Sequence, residues 1–128
     1  MRRLPPALLT FLAALAGCGN DADPPVRTVT LPAGDPARVV AHEYSFDPAR
    51  IVVAGGPTDL RIVLDNQGEL AHNIEVLDGE RELGGLPSFP GGERRSTEVR
   101  VAPGTYRLVC TVADHEQLGM VGALEVRE

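Results

Sequence analysis

The sequence predicts an all-β fold, either a sandwich or a barrel, in one small domain of a 128-residue chain. Apolar and polar residues alternate over several short runs, which is the period of a half-buried strand. Segments that contain many of the 14 glycines and 11 prolines separate these runs. No run has a convincing helical period, so a sheet architecture is the expected class.

The predicted strands begin at Arg38 and number about seven. The run RIVVAGG (50–56) ends in two glycines, DLRIVLDN (59–66) alternates cleanly, and Asp78-Gly79 is a typical hairpin turn. The Gly- and Pro-rich segment 83–92 is predicted to be a loop. The side chains predicted to face the core are Leu60, Ile62, Leu64, Ile74, Val76, Val99, Val101, Tyr106, Leu108, Cys110, Val112, Leu124 and Val126.

The N-terminal segment has the pattern of an export signal. Arg2 and Arg3 precede an apolar run over residues 4–16, which is shorter than the ~20 apolar residues of a membrane-spanning helix. The LAGC motif that ends at Cys18 resembles the lipobox of bacterial lipoproteins, in which the chain is cut before the cysteine and the cysteine receives lipid. We therefore expect a signal peptide over residues 1–17 and an extracytoplasmic protein anchored to a bacterial membrane by lipidated Cys18. An ordinary signal peptide followed by a free cysteine is the alternative.

The next segment, residues 18–37, is rich in Pro, Gly and Asp. It is interpreted as the lipidated cysteine and a flexible tether, or as a plain disordered tail, and the folded domain is expected over residues 38–128. The net charge of −6 disfavours nucleic acid as a partner, because phosphate binding requires a basic surface. No Ser-His-Asp order, HExxH motif or paired-carboxylate arrangement is visible, so the chain is not expected to be an enzyme.

The stretch CTVADHEQLGM (110–120) concentrates Cys110, His115 and Met120 in eleven residues. A thiolate, an imidazole and a thioether suit copper better than Ca²⁺ or Mg²⁺, which prefer oxygen ligands, and a thioether is a poor ligand for Zn²⁺. A blue-copper site needs one Cys, two His and a weak axial Met. A second histidine must therefore come from elsewhere in the chain, and the residues alone leave His42 and His72 as candidates.

This pattern resembles the cupredoxins, small blue-copper proteins with a Greek-key β-sandwich. In that family one histidine lies upstream and is commonly followed by Asn, as His72-Asn73 is here, and a Cys, a His and a Met follow on one loop near the C-terminus. The spacing C-x4-H-x4-M is similar to that of the rusticyanin and auracyanin branch. YSFDPARIVVAGG (44–56) is similar to the family's early strands, and the resemblance covers residues 38–128.

The resemblance implies one type 1 copper ion held by His72, Cys110, His115 and Met120. It also implies that the backbone N–H of Asn73 points at the cysteine sulfur and that its side chain ties the two ligand segments together. His42 is then interpreted as a structural or surface residue. Each site residue also has a plainer interpretation, which is a buried thiol, a core gap-filler, a loop or strand-edge histidine, or a turn residue.

The sequence departs from the family pattern at Ala113 and Asp114, where relatives often have Pro-Gly. The carboxylates of Asp114 and Glu116 flank His115, so we expect a redox partner with a basic docking surface. Negative charge beside the site also favours Cu(II) over Cu(I) by Coulomb attraction.

The leading functional hypothesis is a membrane-tethered, extracytoplasmic electron carrier that cycles one copper ion between Cu(II) and Cu(I), with His115 as the exit point. The alternative is an extracytoplasmic lipoprotein for copper trafficking or sensing. Such carriers tend to be rich in Met or His, whereas this chain has two Met and three His. The third class is a β-sandwich interaction module without metal, which predicts no affinity for copper.

Overall fold

The computed structural model describes residues 25–128, which form ten strands in two sheets. The strands are β1 (Thr28–Pro32), β2 (Ala37–His42), β3 (Ser45–Asp47), β4 (Arg50–Ala54), β5 (Thr58–Asn66), β6 (His72–Asp78), β7 (Arg81–Phe89), β8 (Arg94–Val101), β9 (Gly104–Val109) and β10 (Val121–Arg127). The larger sheet has the order β1-β4-β10-β9-β6-β7 and the smaller sheet has the order β3-β2-β5-β8. The predicted all-β class is confirmed, with ten strands in the described residues rather than about seven. The predicted signal peptide (1–17) and Cys18 lie outside the described residues.

Aliphatic side chains from the facing surfaces of the two sheets form the core. The alternation of β5 leaves Leu60, Ile62 and Leu64 buried, as predicted. Each fully buried side chain of this type stabilises the fold by about 1.5–3 kcal/mol relative to an exposed one. The other predicted core residues are also buried, except that Val112 packs on the core from a half-buried position. Over residues 25–128 there is no helix long and apolar enough to cross a membrane.

The strand β1 lies inside the segment that the sequence analysis interpreted as tether. It pairs in parallel with β4, from Thr28 opposite Arg50 to Pro32 opposite Ala54. The tether interpretation is therefore wrong for residues 28–32. The physical reason is that the short alternation of Val29 and Leu31 is flanked by Pro-, Gly- and Asp-rich sequence, and the strand forms only because β4 offers a free parallel edge for its hydrogen bonds.

The strand β7 occupies most of the segment that was predicted to be a loop, so that prediction is wrong over residues 83–89. It pairs with β6 through the predicted Asp78-Gly79 turn, where Gly79 has a φ of +59°. Gly85 lies so close to the backbone of Ile74 that a Cβ atom would overlap the carbonyl oxygen. This glycine allows a close approach between two strands and does not interrupt the sheet.

One end of the sandwich gathers three segments that matter for function. The strands β6 and β9 are neighbours in the larger sheet, with Glu75 opposite Val109, which brings the start of β6 close to the end of β9. Residues 110–120, called the ligand loop below, connect β9 to β10 and close where Val109 pairs with Val121. The short turn between β2 and β3 reaches the same end from the smaller sheet.

Candidate metal centre

Three potential ligand atoms meet inside this end of the sandwich, and we call them the donor triangle: Nδ1 of His72, Nδ1 of His115 and Sγ of Cys110. The sulfur is 3.9 Å from the His72 nitrogen and 3.6 Å from the His115 nitrogen, and the two nitrogens are 3.2 Å apart. His72 and Cys110 are fully buried, and His115 is 5% exposed. His42, the other candidate histidine, is exposed at the end of β2 and is not part of this cluster.

The donor triangle has the dimensions that a first-row transition-metal ion requires. Metal–nitrogen bonds of about 2.0 Å and a metal–sulfur bond of about 2.3 Å in one plane correspond to a nitrogen–nitrogen separation of about 3.5 Å and nitrogen–sulfur separations of about 3.7 Å. The observed separations of 3.2, 3.6 and 3.9 Å are close to these values. Two imidazoles and one thiolate in a trigonal arrangement are the donor set of a type 1 copper ion, so the residues present fit that ion.

The backbone of the ligand loop holds itself in place. The N–H of Cys110 donates to the carbonyl of Met120 (3.2 Å), and the N–H of Met120 donates to the carbonyl of His115 (3.0 Å). The N–H of His115 donates to the carbonyl of Val112 (3.0 Å), and the turn so closed contains Ala113 with a φ of +45°, a region that residues other than glycine rarely adopt. Met120 is fully buried in the same hydrophobic cluster as Cys110.

Asn73 joins β6 to the ligand loop. Its side-chain oxygen accepts a hydrogen bond from the backbone N–H of Thr111, and its Nδ2 donates to the Thr111 hydroxyl, both at 2.8 Å. The Thr111 hydroxyl in turn donates to Oε1 of Glu75 at 3.1 Å. These contacts connect the residue after His72 with the residue after Cys110, so the two ligand-bearing segments are fixed relative to each other.

Glu43 and Tyr44, which directly follow β2, contact the two histidines. Oε1 of Glu43 is 3.0 Å from Nε2 of His72, and the ring of Tyr44 meets the ring of His115 edge-on with centroids 4.9 Å apart. The backbone N–H of Leu70 also donates to Oε1 of Glu43 (2.8 Å). This Leu70 hydrogen bond is the main cause that lowers the pKa of Glu43 to about 2; burial opposes the shift, and the bond with His72 adds to it.

Neither Glu43 nor Tyr44 is predicted from the sequence to belong to the site. The only sign of Glu43 in the sequence is that a charged residue interrupts the run from Val39 to Tyr44. Nothing local in the sequence indicates which side chain Glu43 contacts, because His72 lies 29 positions further along the chain.

The outer side of the site carries less negative charge than the sequence suggests. Glu116, one of the two carboxylates that flank His115, forms an ion pair with Arg107. Asp114 is exposed and has no ion pair within residues 25–128. Nε2 of His115 also has no hydrogen-bond partner in this part of the chain. Leu70 and Leu118 are exposed apolar side chains on the segments that carry the site.

No protein-family model and no curated protein sequence matches the chain. Solved structures match its fold. Reduced auracyanin from the photosynthetic bacterium Roseiflexus castenholzii is similar with a TM-score of 0.68 and 18% identity, over 75% of this chain and 99% of that one. Reduced rusticyanin gives a TM-score of 0.64 and 17% identity, over 84% of this chain and 89% of that one.

A longer protein also contains this fold. The copper-containing nitrite reductase from Thermus scotoductus matches with a TM-score of 0.56 and 21% identity, over 79% of this chain but only 28% of the enzyme. The chain therefore has the cupredoxin fold, as the sequence resemblance predicted, and its donor triangle lies at the end of that fold.

Proposed function

We propose that this protein carries single electrons by means of one type 1 copper ion. The donor triangle is the observation that carries the proposal, because its separations and its two-imidazole, one-thiolate composition suit copper. When bound, copper supplies a one-electron Cu(II)/Cu(I) couple. Met120, which is buried in the same hydrophobic cluster as Cys110, would supply a thioether sulfur as a further donor to that ion.

The residues around the donor triangle serve this role by restricting movement. The Asn73–Thr111 hydrogen bonds fix the start of the ligand loop, and the bond from Met120 to the carbonyl of His115 fixes its end. Donor atoms that are held in one arrangement move little between the two oxidation states, which favours rapid electron transfer. His115 is the proposed exit point, since it alone of the three donors retains some exposure.

We further propose that the protein works outside the cytoplasmic membrane, anchored through lipidated Cys18, with the residues before β1 as tether. The lipobox-like LAGC motif after an apolar run supports this location. A redox partner with a basic docking surface also remains a proposal. Asp114 supports it, whereas the pairing of Glu116 with Arg107 weakens the negative field on which it depends.

Electron transfer is favoured over copper delivery because the donor atoms are enclosed. Two donor residues are fully buried and the third is 5% exposed, which favours retention of the ion over its exchange. An enzymatic role is not proposed. The nitrite reductase that shares the fold has most of its length outside the matched part, since this chain covers 28% of it.

Titration of the full-length protein with Cu(II), followed by visible spectroscopy, tests the proposal. We expect an intense thiolate-to-copper band that saturates at one equivalent, bleaches reversibly on one-electron reduction and is absent in Cys110→Ser. Asp59→Asn, at the exposed start of β5, is the matched control and should keep the band. Rapid loss of copper to a competing chelator would favour delivery instead. A colourless protein that binds no copper would contradict both functions.

A further inference from the structure

We propose that Glu43 is a positioning residue for the inner histidine, His72, and that its carboxylate lowers the reduction potential of the site. This inference rests on the proposed copper function and extends it. The carboxylate oxygen is 3.0 Å from Nε2 of His72, while Nδ1 of the same ring belongs to the donor triangle.

The contact decides which ring nitrogen of His72 can bind a metal. A neutral imidazole has one N–H and one lone pair, so a lone pair on Nδ1 requires the hydrogen on Nε2. The carboxylate of Glu43 accepts that hydrogen, because a carboxylate can only accept. Glu43 thus selects the tautomer that presents the Nδ1 lone pair to the donor triangle, and it holds the ring plane in position.

The carboxylate is itself held by a built environment. Leu70 donates its N–H to the same oxygen, and Gly68 lies so close that a Cβ atom there would overlap the carboxylate. The fully buried Asn66 fixes this segment, since it accepts a hydrogen bond from the N–H of Gly68 and donates one to the carbonyl of Leu70. The Glu43 side chain is 30% exposed, so water screens part of its charge and the hydrogen bonds from Leu70 and His72 hold the rest of it in place.

The position of this charge predicts its effect on the metal. A negative charge one imidazole ring away from the donor triangle stabilises Cu(II) more than Cu(I) by Coulomb attraction, and the hydrogen bond makes His72 a more basic ligand. Both effects favour the oxidised state. Removal of the charge should shift the Cu(I)-to-Cu(II) affinity ratio by at least about tenfold, and a tenfold change raises a one-electron potential by about 59 mV.

The test compares Glu43→Gln with Asp59→Asn in the full-length protein. Each variant replaces one acid by its amide, and Asp59 lies seven residues from the site end of β5, which is about 23 Å of strand. We expect Glu43→Gln to keep the copper band and to increase the Cu(I)-to-Cu(II) affinity ratio at least about tenfold, which raises the reduction potential. Asp59→Asn should leave the reduction potential unchanged. Nitrogen-15 NMR of the copper-free protein should show one His72 tautomer in the wild type and a mixture in Glu43→Gln.

A second variant covers the case in which Glu43→Gln does not fold. Gly68→Ala places a Cβ atom against the carboxylate and should displace it, which raises the potential in the same direction. If all variants show the copper band and their Cu(I)-to-Cu(II) affinity ratios agree within about twofold, the inference about Glu43 is wrong and the proposed copper function is not affected. An equal shift in Asp59→Asn also overturns it. A wild-type protein without a copper band overturns the proposed function, and the NMR tautomers then still decide whether Glu43 positions His72.

Discussion

The two histidines of the site are held in different ways. His72 is fully buried at the start of β6, and both of its ring nitrogens have partners. His115 lies in the ligand loop, packs against Tyr44 edge-on, and has no partner for Nε2 among residues 25–128. The difference separates an inner histidine fixed by the framework from an outer histidine held by a loop. That division suits a site that keeps its metal and passes electrons through one side.

Within residues 25–128, the smaller sheet contacts both histidines although none of the three atoms of the donor triangle lies on it. The larger sheet and its ligand loop carry His72, Cys110 and His115. The dipeptide Glu43-Tyr44, between β2 and β3, places its first side chain on His72 and its second on His115. The site therefore depends on the packing of the two sheets. Substitutions that affect His72 and His115 differently also test that packing.

Copper binding should change the free energy of unfolding more than any substitution below, because one ion would connect His72 with His115. A ligand that binds only the folded state stabilises it by about 4 kcal/mol at 1,000 times its Kd. Urea unfolding should give that increase in the free energy of unfolding for the wild-type protein in excess Cu(II). In Cys110→Ala, the same excess of Cu(II) should increase the free energy of unfolding much less. Equal gains in both proteins would mean that copper binds elsewhere.

The inner histidine should matter more than the outer one for the stability of the copper-free protein. His72→Ala leaves a cavity in the core and removes the histidine partner of the Glu43 carboxylate, so we expect a loss of about 3 kcal/mol in the free energy of unfolding. His115→Ala should cost less, about 1.5 kcal/mol, because this nearly buried side chain lies in a loop and its Nε2 has no hydrogen-bond partner among residues 25–128. Chemical denaturation of both apoproteins measures the difference. Equal losses would remove the distinction between a framework ligand and a loop ligand.

Asn73 links the two sides, so its removal should loosen the ligand loop. Asn73→Ala deletes two hydrogen bonds to Thr111 and leaves the Thr111 N–H without its partner, with an expected cost of about 2 kcal/mol. Amide hydrogen exchange at Thr111 should become faster. Gln67→Ala, at an exposed residue, is the control and should stay within about 0.5 kcal/mol of the wild type. Unchanged exchange at Thr111 would show that the loop is held without this link.

The smallest expected effect concerns the backbone of the ligand loop on the outer side. Ala113 has a φ of +45°, so Ala113→Gly should relieve strain and raise the free energy of unfolding by about 0.5 kcal/mol. Ala54→Gly, at an exposed position at the end of β4, should lower it by about the same amount. Thermal unfolding of the two variants shows whether each substitution raises or lowers the free energy of unfolding. Destabilisation by both substitutions would contradict the strain assigned to Ala113.

The sequence was sufficient for features that depend on local spacing. Strand alternation identified the core of β5, and the chemistry of Cys110, His115 and Met120 at fixed spacing pointed to copper before any fold was known. Glu43 could not be found in this way, because its contact with His72 arises only when the two sheets pack.

The strands that sequence analysis missed have the same kind of explanation. The strand β1 depends on a parallel partner about 20 residues away, and its short alternation of Val29 and Leu31 does not indicate that partner. In β7, glycines that normally indicate a loop instead allow close contact with β6. In each case the deciding interaction is between segments that the local sequence does not relate.

Anomalous diffraction at the copper absorption edge, from crystals of the copper-loaded protein, tests the central claim most directly. We predict one strong peak within bonding distance of Nδ1 of His72, Nδ1 of His115 and Sγ of Cys110, with Glu43 still hydrogen-bonded to Nε2 of His72. A copper peak away from Cys110, or a loaded crystal with no peak among these three atoms, would contradict it.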